Sequence, residues 1–343
     1  MMQKQMKTID TTNMCSHLQK KAKKCRLANI DWLRIWAMIA VVFIHIDAFY
    51  TYSILPATRF AVPLYFMIAG YFLGEHGKRN YRKYILTAFK VFIGATLFYG
   101  AVEIAGSLYN HTSILEWSWG KILVKWMLFN VNPFHYHLWF LGAYLYVLCI
   151  AALVDNLNLW KWMYWLIIPL LIARFGLQCI DMPAFVTRNF LFIGLPCFLV
   201  GSWLRNNSQM YKDFLSNRKI FVACVLCACL PFVEDYCLSR YIGVQYGDFC
   251  TSYIFAALLL VSAVKLPQIL PQYIPQYTRD IVLGVYIFHP FVHFVYRHIP
   301  VVNEWGSPDS WLAPVIVFIT TWVFCVITLN ILSIIDKFSF LSL

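Results

Sequence analysis

Two side chains able to do chemistry share one apolar run, Asp31-Trp-Leu-Arg34-Ile-Trp-Ala-Met-Ile-Ala-Val-Val-Phe-Ile-His45. If the run is helical, the eleven steps from Arg34 to His45 sum to about 1100°, only ~20° past three full turns. Both side chains then lie on one face, ~16 Å apart along the axis at the α-helical rise. Charged and titratable groups are costly in hydrocarbon, so an aligned pair predicts a polar path through a helix bundle. The plainer reading keeps Arg34 as a helix-end arginine that snorkels and His45 as a hydrogen bond to a neighbouring helix. An imidazole on such a path is suited to general-base work near neutral pH, and a guanidinium to holding an anion.

Further candidates are few. Glu103 is a carboxylate in an apolar run, with partnership of a histidine or a hydroxyl as one reading and a structural interhelical bond as the other. His137 opens Tyr136-His-Leu-Trp-Phe-Leu141, and Tyr286 and His289 fall in Gly284-Val-Tyr-Ile-Phe-His289-Pro. His289 and His293 have an i, i+4 spacing that suits a metal, but no third ligand stands at a matching place, so no metal site is expected. Arg79, Arg82 and Lys83 form a basic cluster that either grips phosphates or is an ordinary cytoplasmic loop. Cys224-x-x-Cys227-x-Cys229 sits in an apolar run and reads as buried small hydrophobes. No G-x-S-x-G, Walker A, H-E-x-x-H or dinucleotide motif is present.

The elements that must position these groups follow from composition. Of 343 residues, 61% are hydrophobic and only 13% charged, about half the charge of a soluble domain. The expected fold is all-α, a polytopic membrane protein of about ten spans, at 30–50, 58–74, 84–106, 136–154, 160–175, 190–204, 219–234, 248–266, 281–297 and 311–335. Residues 1–28 form a basic tail, with Lys4, Lys7, Lys20, Lys21, Lys23, Lys24 and Arg26, and 29–343 form the membrane domain. The positive-inside rule places both termini in the cytoplasm, because 75–83 and 205–218 are rich in Lys and Arg. Arg34 then lies near the inner end of its helix and His45 in the outer half. The stretch 113–129 reads as an interfacial helix on the outer leaflet. The net charge of +12 belongs to tail and loops beside lipid headgroups, and no nucleic-acid module is present.

Several motifs in register resemble the membrane acyltransferase 3 family. They are Arg34-x10-His45 after Asp31-Trp-Leu, Val62-Pro-Leu-Tyr-Phe-Met-Ile-Ala-Gly-Tyr-Phe, Lys78-Arg-Asn-Tyr-Arg82, His137-Leu-Trp-Phe, Phe192-Ile-Gly-Leu-Pro-Cys-Phe-Leu-Val-Gly201 and Gly284-Val-Tyr-Ile-Phe-His289. The resemblance implies transfer of an acyl group, usually acetyl, from cytoplasmic acyl-CoA to a hydroxyl of a surface glycan or its lipid-linked precursor. It implies a bacterial inner-membrane location and functional roles for Arg34 and His45. Acetyl-CoA or another acyl-CoA is then a donor substrate, and no cofactor is permanently bound. Arg34, Arg79 and Arg82 are the expected acyl-CoA contacts, with Asp31, Glu103, His137, Tyr286 and His289 in support. The chain departs from the pattern of many members, since Tyr84-Ile-Leu-Thr follows the basic loop without a proline. The rival reading is a transporter or flippase of a glycan or acyl-linked intermediate, against which stands the lack of an inverted repeat.

Overall fold

In hydrocarbon every backbone polar group must find an internal partner, so apolar runs of this length are expected to fold as helices. The computed structural model of the chain describes residues 28–46, 55–75, 80–109, 111, 119–180, 182–214, 216–241, 248–266, 278–298, 310 and 312–341, and among these no strand occurs. The basic tail lies outside the described residues.

In chain order the helices are α1 (Ala28–Ile44), α2 (Ala61–Leu73), α3 (Tyr81–Tyr109), α4 (Trp119–Phe129) and α5 (Trp139–Asn156). A broken pair follows, α6 (Trp160–Tyr164) and α7 (Ile167–Cys179), then a short turn α8 (Ala184–Thr187). A π-turn at Phe190–Gly194 leads into α9 (Leu195–Asn206). Then come α10 (Ser208–Phe214), α11 (Asn217–Tyr241), α12 (Cys250–Lys265), α13 (Thr278–Arg297) and α14 (Ala313–Leu341). Every predicted apolar run thus contains helix. Five stretches are long and apolar enough to cross a membrane: Tyr81–Tyr109, Tyr136–Asn156, Trp160–Cys179, Asn217–Tyr241 and Ala313–Ile331. Phe190–Asn206 and Cys250–Lys265 are shorter apolar helices. The third predicted span proves longer than read, and the fifth is interrupted at Trp165 and Leu166. The described part of the interfacial stretch is helical over α4, with Lys121 and Lys125 exposed.

Two classes of helix differ in what they bury. The outer helices α3, α7, α11 and α14 expose large apolar side chains such as Leu97, Ile172, Leu226 and Ile327. A contiguous exposed apolar surface of this kind marks contact with lipid. At the centre, α2 and α9 are buried and pack backbone to backbone. A Cβ built on Gly70 would stand 1.8 Å from the Phe198 carbonyl oxygen, and one on Gly201 would stand 1.9 Å from that of Met67. One turn on, a Cβ at Gly74 would meet Ser202 Oγ at 2.2 Å. Small residues at four-residue spacing allow this approach, the usual route to tight packing where lipid supplies no hydrophobic drive between helices. The glycines of two family-like motifs therefore have one shared reason, the α2–α9 contact.

The α9 start is equally specific. Asn189 caps it, its side-chain oxygen accepting from the Leu191 and Phe192 amides at 2.9 and 3.1 Å. Asn130 from the α4–α5 connection accepts from the Phe190 amide at 3.0 Å and donates to the Trp139 carbonyl at 3.0 Å.

Gly70→Ala should force α2 and α9 apart and lower stability by at least the ~1–3 kcal/mol typical of overpacking. Gly94→Ala, on the open face of α3 where nothing lies within 4 Å, should be neutral or stabilising. Thermal unfolding of the two purified variants in one detergent tests this; equal midpoints would contradict the packing described.

Candidate active site

Arg34 and His45 open into one cavity of about 960 Å³ bounded by α1, α2, α3, α5 and α13. Arg34 is one turn and a half into α1 and His45 follows its last residue, so the two mark opposite ends of the space.

The Arg34 end is cationic. Arg34 Nη1 lies 2.5 Å from Asp31 Oδ1, an i, i+3 pair on α1. The same oxygen is 3.5 Å from Arg279 Nε on α13. The Asp31 side chain is 1% exposed and that of Arg34 15%, whereas Arg279 is 56% exposed at the opening. The Tyr65 hydroxyl, from α2, donates to the Arg34 carbonyl oxygen at 2.6 Å, and the guanidinium sits 5.5 Å above the Phe72 ring. Lys83 and Arg205 also line this end, the latter 5.0 Å over the Tyr71 ring. With Asp31 beneath Arg34 and Asp280 in the wall, four cations face two carboxylates.

Between the ends the wall is mainly apolar: Met38, Val41, Ile68, Ala69, Val91 and Leu141, with the Tyr65 and Tyr144 rings. The space that joins Arg34 to His45 is thus mainly apolar between its ends, with Tyr65, Thr87 and Tyr144 as the polar side chains along it.

The His45 end is a histidine cluster. The His45 ring centroid is 5.2 Å from that of His289 and 6.4 Å from that of His137. His289 is fully buried, and its Nδ1 is 2.9 Å from the Val285 carbonyl oxygen on its own helix. Pro290, lacking an N–H, leaves the Tyr286 carbonyl of the same turn without its ladder donor. A carbonyl partner assigns the proton to Nδ1, so Nε2 is an acceptor, and it has no hydrogen-bond partner among the described residues. His137 stands in the 3-10 turn Tyr136–Leu138 before α5, its carbonyl accepting from the Tyr286 hydroxyl. His137 Nδ1 and His135 Nδ1 are 2.5 Å apart, so one must donate and one accept. Burial lowers the pKa of His135, in the connection before α5, which keeps that ring neutral at pH 7. Among the described residues no three His, Cys, Asp or Glu side chains have metal-holding geometry.

Of the residues singled out in the sequence, Asp31, Arg34, His45, His137, Tyr286 and His289 come together here. Arg82 and Glu103 do not: both are exposed and neither lines the cavity. Arg82 sits one position from Lys83 at the start of α3, and a 100° step turns one side chain in and the other out. Arg79 lies outside the described residues. Sequence reasoning missed Arg205, Arg279 and Tyr65 as site residues. The first two were visible only as part of the inner-side positive charge, and nothing in the sequence distinguished Tyr65.

The geometry is that of an anion grip and an imidazole joined by an apolar slot. Comparison with known proteins bears on what chemistry this serves. No curated protein and no solved structure matches the chain. A family model described as an acyltransferase domain matches residues 27–329, which include every helix that forms the cavity. The chain belongs to this acyltransferase family, and its long apolar helices make it a membrane acyltransferase.

Proposed function

We propose that the protein is an O-acyltransferase that moves an acyl group, acetyl first among the choices, from cytoplasmic acyl-CoA to a hydroxyl of a cell-surface glycan or its lipid-linked precursor. The observation that carries this reading is the single cavity with Arg34 at one end and His45 at the other. Within its family the sequence resembles the bacterial O-acetyltransferase that decorates the enterobacterial common antigen, which favours acetyl and a sugar hydroxyl. The reading includes a bacterial inner-membrane location and ten spans with both termini cytoplasmic, supported by the distribution of Lys and Arg between segments.

In this mechanism the CoA phosphates rest at the cationic mouth, on Arg34, Arg279, Lys83 and Arg205. Arg82, at the start of α3, adds positive charge outside it, and the resemblance assigns Arg79 the same role. The uncharged pantetheine arm fills the apolar slot, and the thioester reaches His45. The imidazole accepts the proton of the acceptor hydroxyl, and that oxygen attacks the thioester carbonyl carbon. The carbon–sulfur bond breaks, and the departing thiolate takes the proton from the imidazolium. In this reading His289, whose ring centre is 5.2 Å from that of His45, supports that ring and its tautomer. An attack by His45 itself, through an acyl-imidazole, uses the same placement.

The test is label transfer from radiolabelled acetyl-CoA into lipid-linked or polymeric glycan in purified membranes. His45→Ala should lower kcat by about 10²–10⁴-fold, the usual value of general-base help, with protein levels unchanged. Full transfer by that variant would overturn the mechanism. No label with acetyl, succinyl or longer acyl donors would favour transport instead.

Asp31→Asn should separate binding from chemistry. It leaves Arg34 without its buried counter-charge and frees the guanidinium to turn from the mouth. The acyl-CoA KM should rise about tenfold or more while kcat changes little. A fall in kcat at unchanged KM would instead tie Asp31 to the chemical step.

A further inference from the structure

A second charged cluster stands at the His45 end of the bundle, outside the cavity. Arg174, near the end of α7, is fully buried. Its Nη2 is 2.8 Å from Asp248 Oδ2, and Arg188 Nε is 2.6 Å from that same oxygen. Two guanidiniums thus share one carboxylate oxygen. Arg188 has the aligned hydrogen bond, whereas Arg174 is held as an ion pair, and among the described residues its Nε, Nη1 and Nη2 have no aligned hydrogen-bond acceptor. Among the described residues, Tyr253 Oη beside it and Gln178 Oε1, whose amide nitrogen donates to the Asp248 carbonyl, are also buried without hydrogen-bond partners. Arg174 does have aromatic company, 4.9 Å from the Phe175 ring centre and 5.2 Å from that of Tyr253.

Such a cluster is costly. A buried guanidinium with an aligned carboxylate roughly breaks even, whereas one with several unmet donors does not. A scaffold needs only one arginine to satisfy Asp248, and Arg188 does so; Asp248 in turn raises the Arg188 pKa and keeps it charged. The surplus charge calls for a second anion.

Its location says which reaction it serves. Arg188 and Asp248 open the α9 and α12 regions, and Arg174 is in the last turns of α7, at the same end of the bundle as His45. Asn130, in the connection that carries His135 and His137, accepts from the Phe190 amide two residues after Arg188. Arg59 and Arg188 are both near enough to His45 to act on it electrostatically. The CoA-binding cations are at the opposite end. Arg188 is 23% exposed and Asp248 14%, so the cluster has an approach from outside.

We propose that Arg174 and Arg188, with the Tyr253 hydroxyl, bind an oxyanion of the acyl acceptor and so hold its hydroxyl at His45. The shared chemistry is a phosphate or carboxylate gripped by guanidinium forks and a hydroxyl donor. Its source is either the diphosphate of a lipid-carried glycan or the carboxylate of an acidic sugar. This rests on the acyl-transfer reading for its role, though not for the existence of the site.

The experiment follows thermal unfolding of the full chain in nanodiscs with coenzyme A saturating, so that the cationic mouth is occupied. Pyrophosphate, glucuronate and sodium chloride at matched ionic strength are added to wild type, Arg174→Met and Arg188→Lys. An oxyanion at well above its dissociation constant should raise the wild-type midpoint by about 2–4 °C. Pyrophosphate alone doing so identifies a diphosphate, glucuronate alone an acidic sugar, and both a general oxyanion site. Arg174→Met should fold, since an apolar residue of similar length removes an unmet buried charge. It should need at least tenfold more anion for the same shift. Arg188→Lys, which keeps the charge and loses the fork, should show a smaller loss and guards against a folding failure of the first variant. No shift beyond that of chloride in wild type, or a shift unchanged in both variants, would overturn the proposal. An anion effect with no acyl transfer from any donor would leave the site standing and remove the acyl-transfer reading; transfer without an anion effect would do the reverse.

Discussion

A carboxylate withdrawn from solvent governs the Arg34 end of the bundle. Asp31 is 1% exposed, and an unpaired charge so placed would cost several kcal/mol. Arg34 and Arg279 meet that cost from two helices, α1 and α13. Tyr65 then ties α2 to the Arg34 backbone. The consequence is a guanidinium whose direction is set before any substrate arrives. An arginine left to snorkel would sample many rotamers, and holding an anion would require ordering it first.

The mainly apolar middle of the cavity supports the proposed function over a conduction path. A conduction path for protons or ions needs polar groups or water along its length. This space has charge at one end, imidazoles at the other and hydrocarbon between. It suits a molecule with an anionic head and an uncharged flexible arm. The wall holds its shape because α2 rests on α9 through Gly70 and Gly201, where the backbones touch with no side chain to yield.

Charge is distributed along the bundle in a way that matches a two-substrate reaction. The cationic mouth gathers Arg34, Lys83, Arg205 and Arg279 from four helices. The opposite end gathers Arg174 and Arg188 around Asp248. The histidines lie between the two groups, where a donor from one side and an acceptor from the other can meet.

Much of this was legible in the sequence. Hydrophobic run length foretold the helical segments, since backbone hydrogen bonding in lipid leaves few alternatives. The phase of Arg34 and His45 on α1 is a property of one helix, so their spacing alone placed them on a common face. Family-like motifs marked α2, α9 and α13, where glycine and proline are needed for close approach and for a broken ladder. Tertiary structure decided what spacing along one helix does not contain. Whether Arg82 or Lys83 faces inward depends on how α3 is rotated against its neighbours. Glu103 was a fair candidate by type, yet it falls on the outer face of that same helix. Asp31 and Arg279 are 248 positions apart and meet only because α1 and α13 pack together. The Arg174, Arg188 and Asp248 cluster joins three separate elements in the same way. Helical periodicity is local and therefore readable, whereas a site shared among helices depends on their relative rotation and depth, which packing sets.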